Sequence, residues 1–152
     1  MSLIYESPEF VEELKRRINS NSEYREKAKG MNWETLIIVK DVSFAVYSSY
    51  SDGELVERKH ILPSEVEDCR RKADFVVEIP TYELSIEMFS GRKSLETLFM
   101  TGMIKVDGSI FKAMHYRDAL GVSGRITAEL VNESVIPSKD EFVRMLRERG
   151  LL

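Results

Sequence analysis

Apolar residues recur along this chain with two periods, and the switches between them outline its elements. Phe10, Leu14 and Ile18 stand four residues apart with Val11 beside them, the spacing of a helix that buries one stripe. Ser7-Pro8 starts it well: the serine hydroxyl can accept an orphan N–H, and proline's missing N–H costs nothing at the first helical position. "NSNS" at 19–22 breaks the pattern, and a second short helix is expected from Ser22 to about Lys29, stopped by Gly30. The period then falls to two. "NWETLIIVKD" and "VSFAVYSSY" are rich in β-branched and aromatic residues. In the second run Val42, Phe44 and Val46 alternate with Ser43, Ala45 and Tyr47, as a half-buried strand requires. Lys40-Asp41 is the expected turn between these runs. Asp52-Gly53 is a stronger turn signal and leads into "ELVERKHIL", so three consecutive antiparallel strands are predicted.

After Pro63 the two periods alternate. Ser64 and Glu67 have capping-box spacing, which predicts a short helix carrying Cys69. "ADFVVEIP" sets Phe75, Val77 and Ile79 against Asp74, Val76 and Glu78, a fourth strand closed by Pro80. Tyr82, Ile86 and Phe89 mark a helix capped by Thr81 and ended at Ser90-Gly91; Ser94 caps the next, which carries Leu95, Leu98 and Phe99. The fifth strand is "MIKVD", with Ile104 and Val106 on one face and Met103, Lys105 and Asp107 on the other. Helical spacing returns at Ile110, Phe111 and Met114. Further helices are expected from Ser123 and from Ser138, where Ser138 and Glu141 form a second capping box ahead of Phe142, Met145 and Leu146.

Length and composition narrow this outline. With 152 residues the chain suits one domain, and 43% hydrophobic with 32% charged residues is ordinary for a globular protein. A net charge of −4 argues against nucleic acid as a partner, because phosphate binding needs clustered Lys and Arg. Cys69 is the only cysteine, which excludes an intrachain disulfide. Apolar runs such as "LIIV" at 36–39 are far shorter than the roughly 20 residues of a membrane span, so no transmembrane segment is expected. The start "MSLIYESPEF" is too short and acidic for a signal peptide, and a cytoplasmic setting is the expectation.

Candidate chemistry is sparse. His60 and His115 each lack a second histidine at metal spacing. "HILPSEVEDC" places His60, Glu65, Asp68 and Cys69 close together, yet matches no metal or Cys–His arrangement. No G-x-S-x-G elbow, P-loop or dinucleotide fingerprint occurs. No metal, cofactor or catalytic residue is therefore assigned, and an enzyme is not expected. The positive signal is apolar: Met88, Met100, Met103 and Met114 cluster late in the chain. Methionine adapts to irregular spaces, which suits both a pocket for flexible ligands and a tightly packed core.

From Ala73 to Leu120 the order "ADFVVEIP", "TYELSIEMFSG", "LETLFMTG", "MIKVDG", "SIFKAMHYRDAL" resembles the sterol carrier protein 2 family. Upstream, "SEYREKAKGMNWETLIIV" resembles the opening of its stand-alone prokaryotic members. The resemblance implies a single α/β (α+β) domain over 1–152, with a family-like core at about 8–120 and a helical extension at 121–152. It implies a mainly antiparallel sheet of about five strands covered by helices, with an apolar cavity between the layers. The implied function is binding, and transfer, of a hydrophobic small molecule (a fatty acyl chain or other lipid) without covalent chemistry. The alternatives are an interaction module with a self-filled core, homodimeric in one version, and an accessory subunit of an enzyme. Carried over by position, the ligand-binding wall comprises Phe75, Val77, Ile86, Phe89, Leu98, Phe99, Met100, Ile104, Val106, Ile110 and Met114. Tyr116 and Arg117 lie where a head group would be held. Two departures stand out: Ser94-Leu95 replaces the usual Asp-Pro, and Gly102-Met103 replaces Gly-Lys. The second puts an apolar side chain on the outward face and implies a cover, for which the helical extension is the candidate.

Overall fold

A computed structural model describes residues 2–152. Among them one sheet contains β1 (Trp33–Val39), β2 (Phe44–Ser51), β3 (Glu54–Ile61), β4 (Phe75–Ile79) and β5 (Lys105–Gly108), in the spatial order β3-β2-β1-β4-β5. Neighbouring strands are antiparallel except β1 and β4, which run parallel. A parallel pair needs a long crossover. Here the β2–β3 hairpin and helix α3 (Val66–Lys72) provide it. The period-two runs locate all five strands, but β5 starts at Lys105, so Met103 and Ile104 of the expected run precede the strand.

Helix starts follow the capping serines and threonine. Ser7, Thr81 and Ser94 side chains accept from the N–H groups of Phe10, Leu84 and Thr97, each at 3.1 Å. These open α1 (Pro8–Ser20), α4 (Tyr82–Phe89) and α5 (Leu95–Met100). Ser138 and Glu141 form the expected capping box of α8 (Lys139–Glu148). The second helix, α2 (Ser22–Lys27), is capped by Asn21, whose side chain accepts from the Tyr24 N–H at 2.8 Å. The Asp52-Gly53 turn has both residues at positive φ (48° and 81°), and a side chain at Gly53 would collide with Ala28. Only glycine fits there without strain.

Four local expectations change. First, β2 is covered on both faces rather than half-buried: Ala45 and Tyr47 pack with Leu36, Ile61 and Val76 in a second, smaller core. Val66, Cys69 and Ala73, in and just after α3, cover that face. Second, Lys40–Val42 is a 3-10 turn ending at Ser43 with φ 51°, so Val42 is buried but precedes the strand. Third, Ser64 caps nothing. The Glu65 carboxylate accepts from the Leu62 N–H at 2.9 Å, and α3 begins after this turn. Fourth, the helix expected from Ser123 begins earlier, as α7 (Arg117–Glu133), directly after α6 (Ile110–His115). Tyr116, at φ −104° and ψ 21°, separates the two.

The main core lies between the sheet and the remaining helices. It includes Phe10, Leu14 and Ile18 of α1, Ala119, Val122, Ile126 and Leu130 of α7, and Phe142 and Leu146 of α8. A one-residue bridge between Ile4 and Val135 ties the first residues beside the end of α7.

Candidate functional site

Strand register decides which residues face the helices. One row across the sheet reads His60, Val46, Ile37, Val77, Val106, and the next reads Arg58, Ser48, Thr35, Phe75, Gly108. Ile37 is informative because it stands on the central strand with partners on both sides. A sealed core would bury it fully, yet it is only half-buried, as are Val106 in the same row and Met88 and Phe89 elsewhere against the same core. Apolar surface around this row is therefore left partly uncovered. At the rim, Gly108 (φ 144°) has no room for a side chain: a Cβ there would lie 2.5 Å from the Asp74 carbonyl and from the Phe75 ring.

The eleven expected wall residues divide by burial. Phe75, Val77, Ile86, Leu98 and Ile104 are buried in the main core, and Phe89 and Val106 are half-buried against it. Phe99, Met100, Ile110 and Met114 are exposed, contrary to the buried faces that their spacing implied. The reason is how α5 and α6 sit. The first buries Leu98 alone, and the second turns only Ala113 toward the core, leaving its bulky apolar residues outside. Tyr116 packs edge-on against Trp33 with centroids 5.4 Å apart, while Arg117 pairs with Glu96 at 3.2 Å on the surface. Met103 is also exposed. The helical extension does not account for a cover there: Phe142 of α8 stacks on Tyr82 (4.7 Å) and meets Phe44 edge-on (5.0 Å).

Two surface hollows lie elsewhere. One of about 950 Å³ lies between α1 and the end of α7, walled by Glu9, Glu12, Glu13, Arg16 and Arg17 among others. The other, of about 310 Å³, lies beside α8. None of the eleven expected residues lines either.

A buried ionic cluster was invisible to sequence reasoning. Glu6 is 1% exposed and accepts both ends of the Arg58 guanidinium at 2.6 and 2.8 Å. His60 Nε2 lies 3.1 Å from the same carboxylate, and Arg149 donates to the Glu6 carbonyl at 2.9 Å. Desolvation alone would push the Glu6 carboxyl up. The charge and hydrogen bonds of Arg58, with those of His60, outweigh it and bring the pKa to about 2. Glu6 adopts φ 59°, a left-handed conformation that non-glycine residues tolerate only when their surroundings impose it. A bulge opposite Ser49 and Tyr50 leaves Val56 unpaired and rephases β3, so Leu55, Arg58 and His60 all turn inward. Strict alternation from Leu55 would have placed Glu57 and Lys59 there. Charged residues occupy both parities of β3, Glu57 and Lys59 as well as Arg58 and His60, so alternation alone does not mark which pair turns inward.

This cluster is sealed inside the protein and neutralised by its own partners, an arrangement that fastens termini rather than one that turns over a substrate. The grouping of His60 with Cys69 is undone by the sheet, since His60 faces the helices and Cys69 the opposite core. Burial raises the Cys69 thiol above its ordinary range, which lowers its thiolate content. Among the described residues no group of three His, Cys, Asp or Glu side chains could hold a metal ion. None of their helices is long and apolar enough to cross a membrane.

Comparison with known proteins agrees with this architecture. A sequence search of curated proteins finds no match. Among solved structures, a crystal structure of sterol carrier protein 2 superposes with a TM-score of 0.66 at 18% identity, covering 81% of this chain and 96% of that one. A conserved hypothetical protein from Thermus thermophilus, described as possibly a sterol carrier protein, gives 0.64 at 19% identity over 88% and 92%. A sec-alkyl sulfatase double mutant gives 0.52 at 20% identity, with 74% of this chain matched to only 16% of that enzyme. At these identities the likeness is one of fold. Residues 11–121 match the sequence model of the SCP-2 sterol transfer family, and the chain belongs to that family.

Proposed function

We propose that this protein binds and transfers a hydrophobic small molecule, a fatty acyl chain or another lipid, between its sheet and the α4–α5–α6 layer. The observation that carries the reading is Ile37, an apolar side chain at the centre of the sheet that the helices leave partly uncovered. Val77 and Val106 share its row across the sheet and Phe75 stands in the next, and Ile86, Phe89, Leu98 and Ile104 of the same core would complete the apolar lining. Family membership and the shared fold support the same assignment. Phe99, Met100, Ile110 and Met114 would then form the rim of the site and meet the ligand as it enters. The driving force is desolvation: each methylene moved from water into such a site gains roughly 0.8 kcal/mol. The chemistry is binding without bond-making, in a cytoplasmic setting.

Native mass spectrometry of the gently purified protein, followed by organic extraction, is expected to reveal retained lipid. Titration with a fluorescent fatty acid gives the sharper test. Ile37→Trp fills the uncovered space and should weaken binding about tenfold or more while the melting temperature holds. Undiminished binding by that variant would place the ligand elsewhere.

A second reading, an accessory module of an enzyme, is favoured by one observation. The same fold forms a small part of the sec-alkyl sulfatase chain. Co-purification with a catalytic partner, and a change in that partner's turnover when this protein is removed, would favour it.

A further inference from the structure

The partly uncovered stretch of β1 is not apolar throughout. Thr35 and Ile37 stand two residues apart on the helix-facing side of this central strand, and both are only half-buried although strands flank them on either side. Beside Thr35 on β2 is Ser48, 4% exposed, and on its other side is Phe75. Two hydroxyl side chains are thus cross-strand neighbours, one row away from the apolar row of Val46, Ile37, Val77 and Val106. Such neighbours have Cβ atoms about 4.5–5.5 Å apart, close enough for one ligand oxygen to reach both hydroxyls. An apolar lining does not call for them: valine and alanine would fill nearly the same volumes without a polar atom.

The charge beside this pair is already spoken for. Beyond Ser48 the row continues to Arg58, whose guanidinium donates to the Glu6 carboxylate at 2.6 and 2.8 Å. An ionised head group brought to the two hydroxyls would lose its water and find Arg58 engaged, with a second carboxylate behind it. A wholly apolar chain would strand both hydroxyls against methylenes. An uncharged oxygen, in a hydroxyl or a carbonyl, suffers neither penalty, because Thr35 and Ser48 can each donate to it, and each can accept from a hydroxyl.

We infer that Thr35 and Ser48 select the ligand: a long-chain lipid that carries an uncharged oxygen group, such as a fatty alcohol or an acyl ester, in preference to an ionised fatty acid. The inference rests on the carrier reading above and adds the class of lipid to it. An acid can still enter tail first and leave its carboxylate at the rim, but it then gives the two hydroxyls no partner. Trp33, the single tryptophan, reports from within the site. It stands two residues from Thr35 on the same face and meets Phe75 edge-on at 4.9 Å. Titrations of the full-length protein at pH 8, followed by Trp33 emission and by displacement of a fluorescent fatty acid, compare 1-tetradecanol with tetradecanoic acid.

The natural chain should bind the alcohol about tenfold more tightly than the acid. In the double variant Thr35→Val, Ser48→Ala the alcohol should lose about tenfold while the acid changes less than twofold, so the ratio collapses. Ser48→Ala alone, the gentler change, should lower the ratio about threefold. Thr35→Ser keeps a hydroxyl and should keep most of the preference, which a merely structural role for Thr35 does not require. A ratio near one in the natural chain, or a ratio that the double variant leaves untouched, would overturn the selection and leave the carrier reading standing. Binding of neither ligand by either readout would break the carrier reading itself, and the selection with it.

Discussion

Over β2 and β3 the helix-facing side of the sheet is closed by aromatic rings, whereas over β5 the neighbouring helices turn their bulky side chains away from it. In the first region Phe142 stacks on Tyr82, Phe44 meets both Phe142 and His60 edge-on, and Tyr5 packs against Phe10 at 5.4 Å. Beside them Glu6, Arg58 and His60 satisfy one another in near-complete burial. In the second region α6 has no buried residue and α5 has one. The contrast teaches a division of labour along a single sheet. Burial is concentrated where the two termini converge, and apolar surface is left unburied over β5. Helices that bury little are the ones that can open at low cost.

Breaking the closed region should give the largest effect. Deleting residues 138–152 removes Phe142 and Leu146 from the core and Arg149 from the Glu6 carbonyl. Large-to-small changes at two such sites together cost on the order of 5–10 kcal/mol, comparable to the whole stability of a domain. The truncated chain is expected to fail to fold, which circular dichroism and soluble yield would reveal. A truncated chain that melts cooperatively near the full-length temperature would refute an integral role for α8.

Arg58→Ala comes next. It leaves the Glu6 carboxylate buried with only His60 beside it, and stranding a buried charge costs about 3–5 kcal/mol. Urea unfolding of the variant measures the loss. The double variant Glu6→Leu, Arg58→Met should recover much of it, because apolar residues of similar size often replace a buried pair at little cost.

The ease of reading the sequence follows the same division. The strands and the caps at Ser7, Thr81, Ser94 and Ser138 were legible because each depends on residues a few positions apart. Glu6 and Arg58 are 52 positions apart, and a bulge at Val56 inverts the alternation that would have indicated which way Arg58 points. The exposure of Phe99, Met100, Ile110 and Met114 was illegible for another reason. Helical spacing identifies an apolar stripe, but whether the stripe meets the core depends on how the helix is rolled over the sheet. Phe75 and Val77, which strand parity does hold, are buried in the main core.

Acid should separate the two regions more gently. The Glu6 pKa falls from an ordinary 4.5 to about 2 in the fold, so the stability it lends is complete above about 4.5 and is lost as the pH drops toward 2. Glu13, held near the same value by hydrogen bonds from Arg16 and Arg17, titrates in the same window, but it is partly exposed and its share is screened. Urea midpoints at pH 7, 4.5, 3 and 2 should fall steeply for the natural chain below 4.5. Glu6→Gln should start lower at neutral pH and show a flatter acid limb, and Glu13→Gln should change the slope less. An acid limb unaltered in Glu6→Gln would remove the buried pair from the account.

The smallest expected effect tests the comparison from its open side. Phe111 makes its bulk available to solvent from a six-residue helix whose inward contact is Ala113. Phe111→Ser therefore removes no packed surface, and its cost should stay within about 0.5 kcal/mol, the range of surface changes. Ala113→Asp, two positions on in the same helix, places a charge where α6 meets the core and should cost more than Phe111→Ser despite the smaller change in size. Thermal and urea unfolding of the two variants side by side give the ranking. The reverse order would mean that Phe111 packs against the protein in solution and that α6 is rolled the other way, with its bulky face closing over β5.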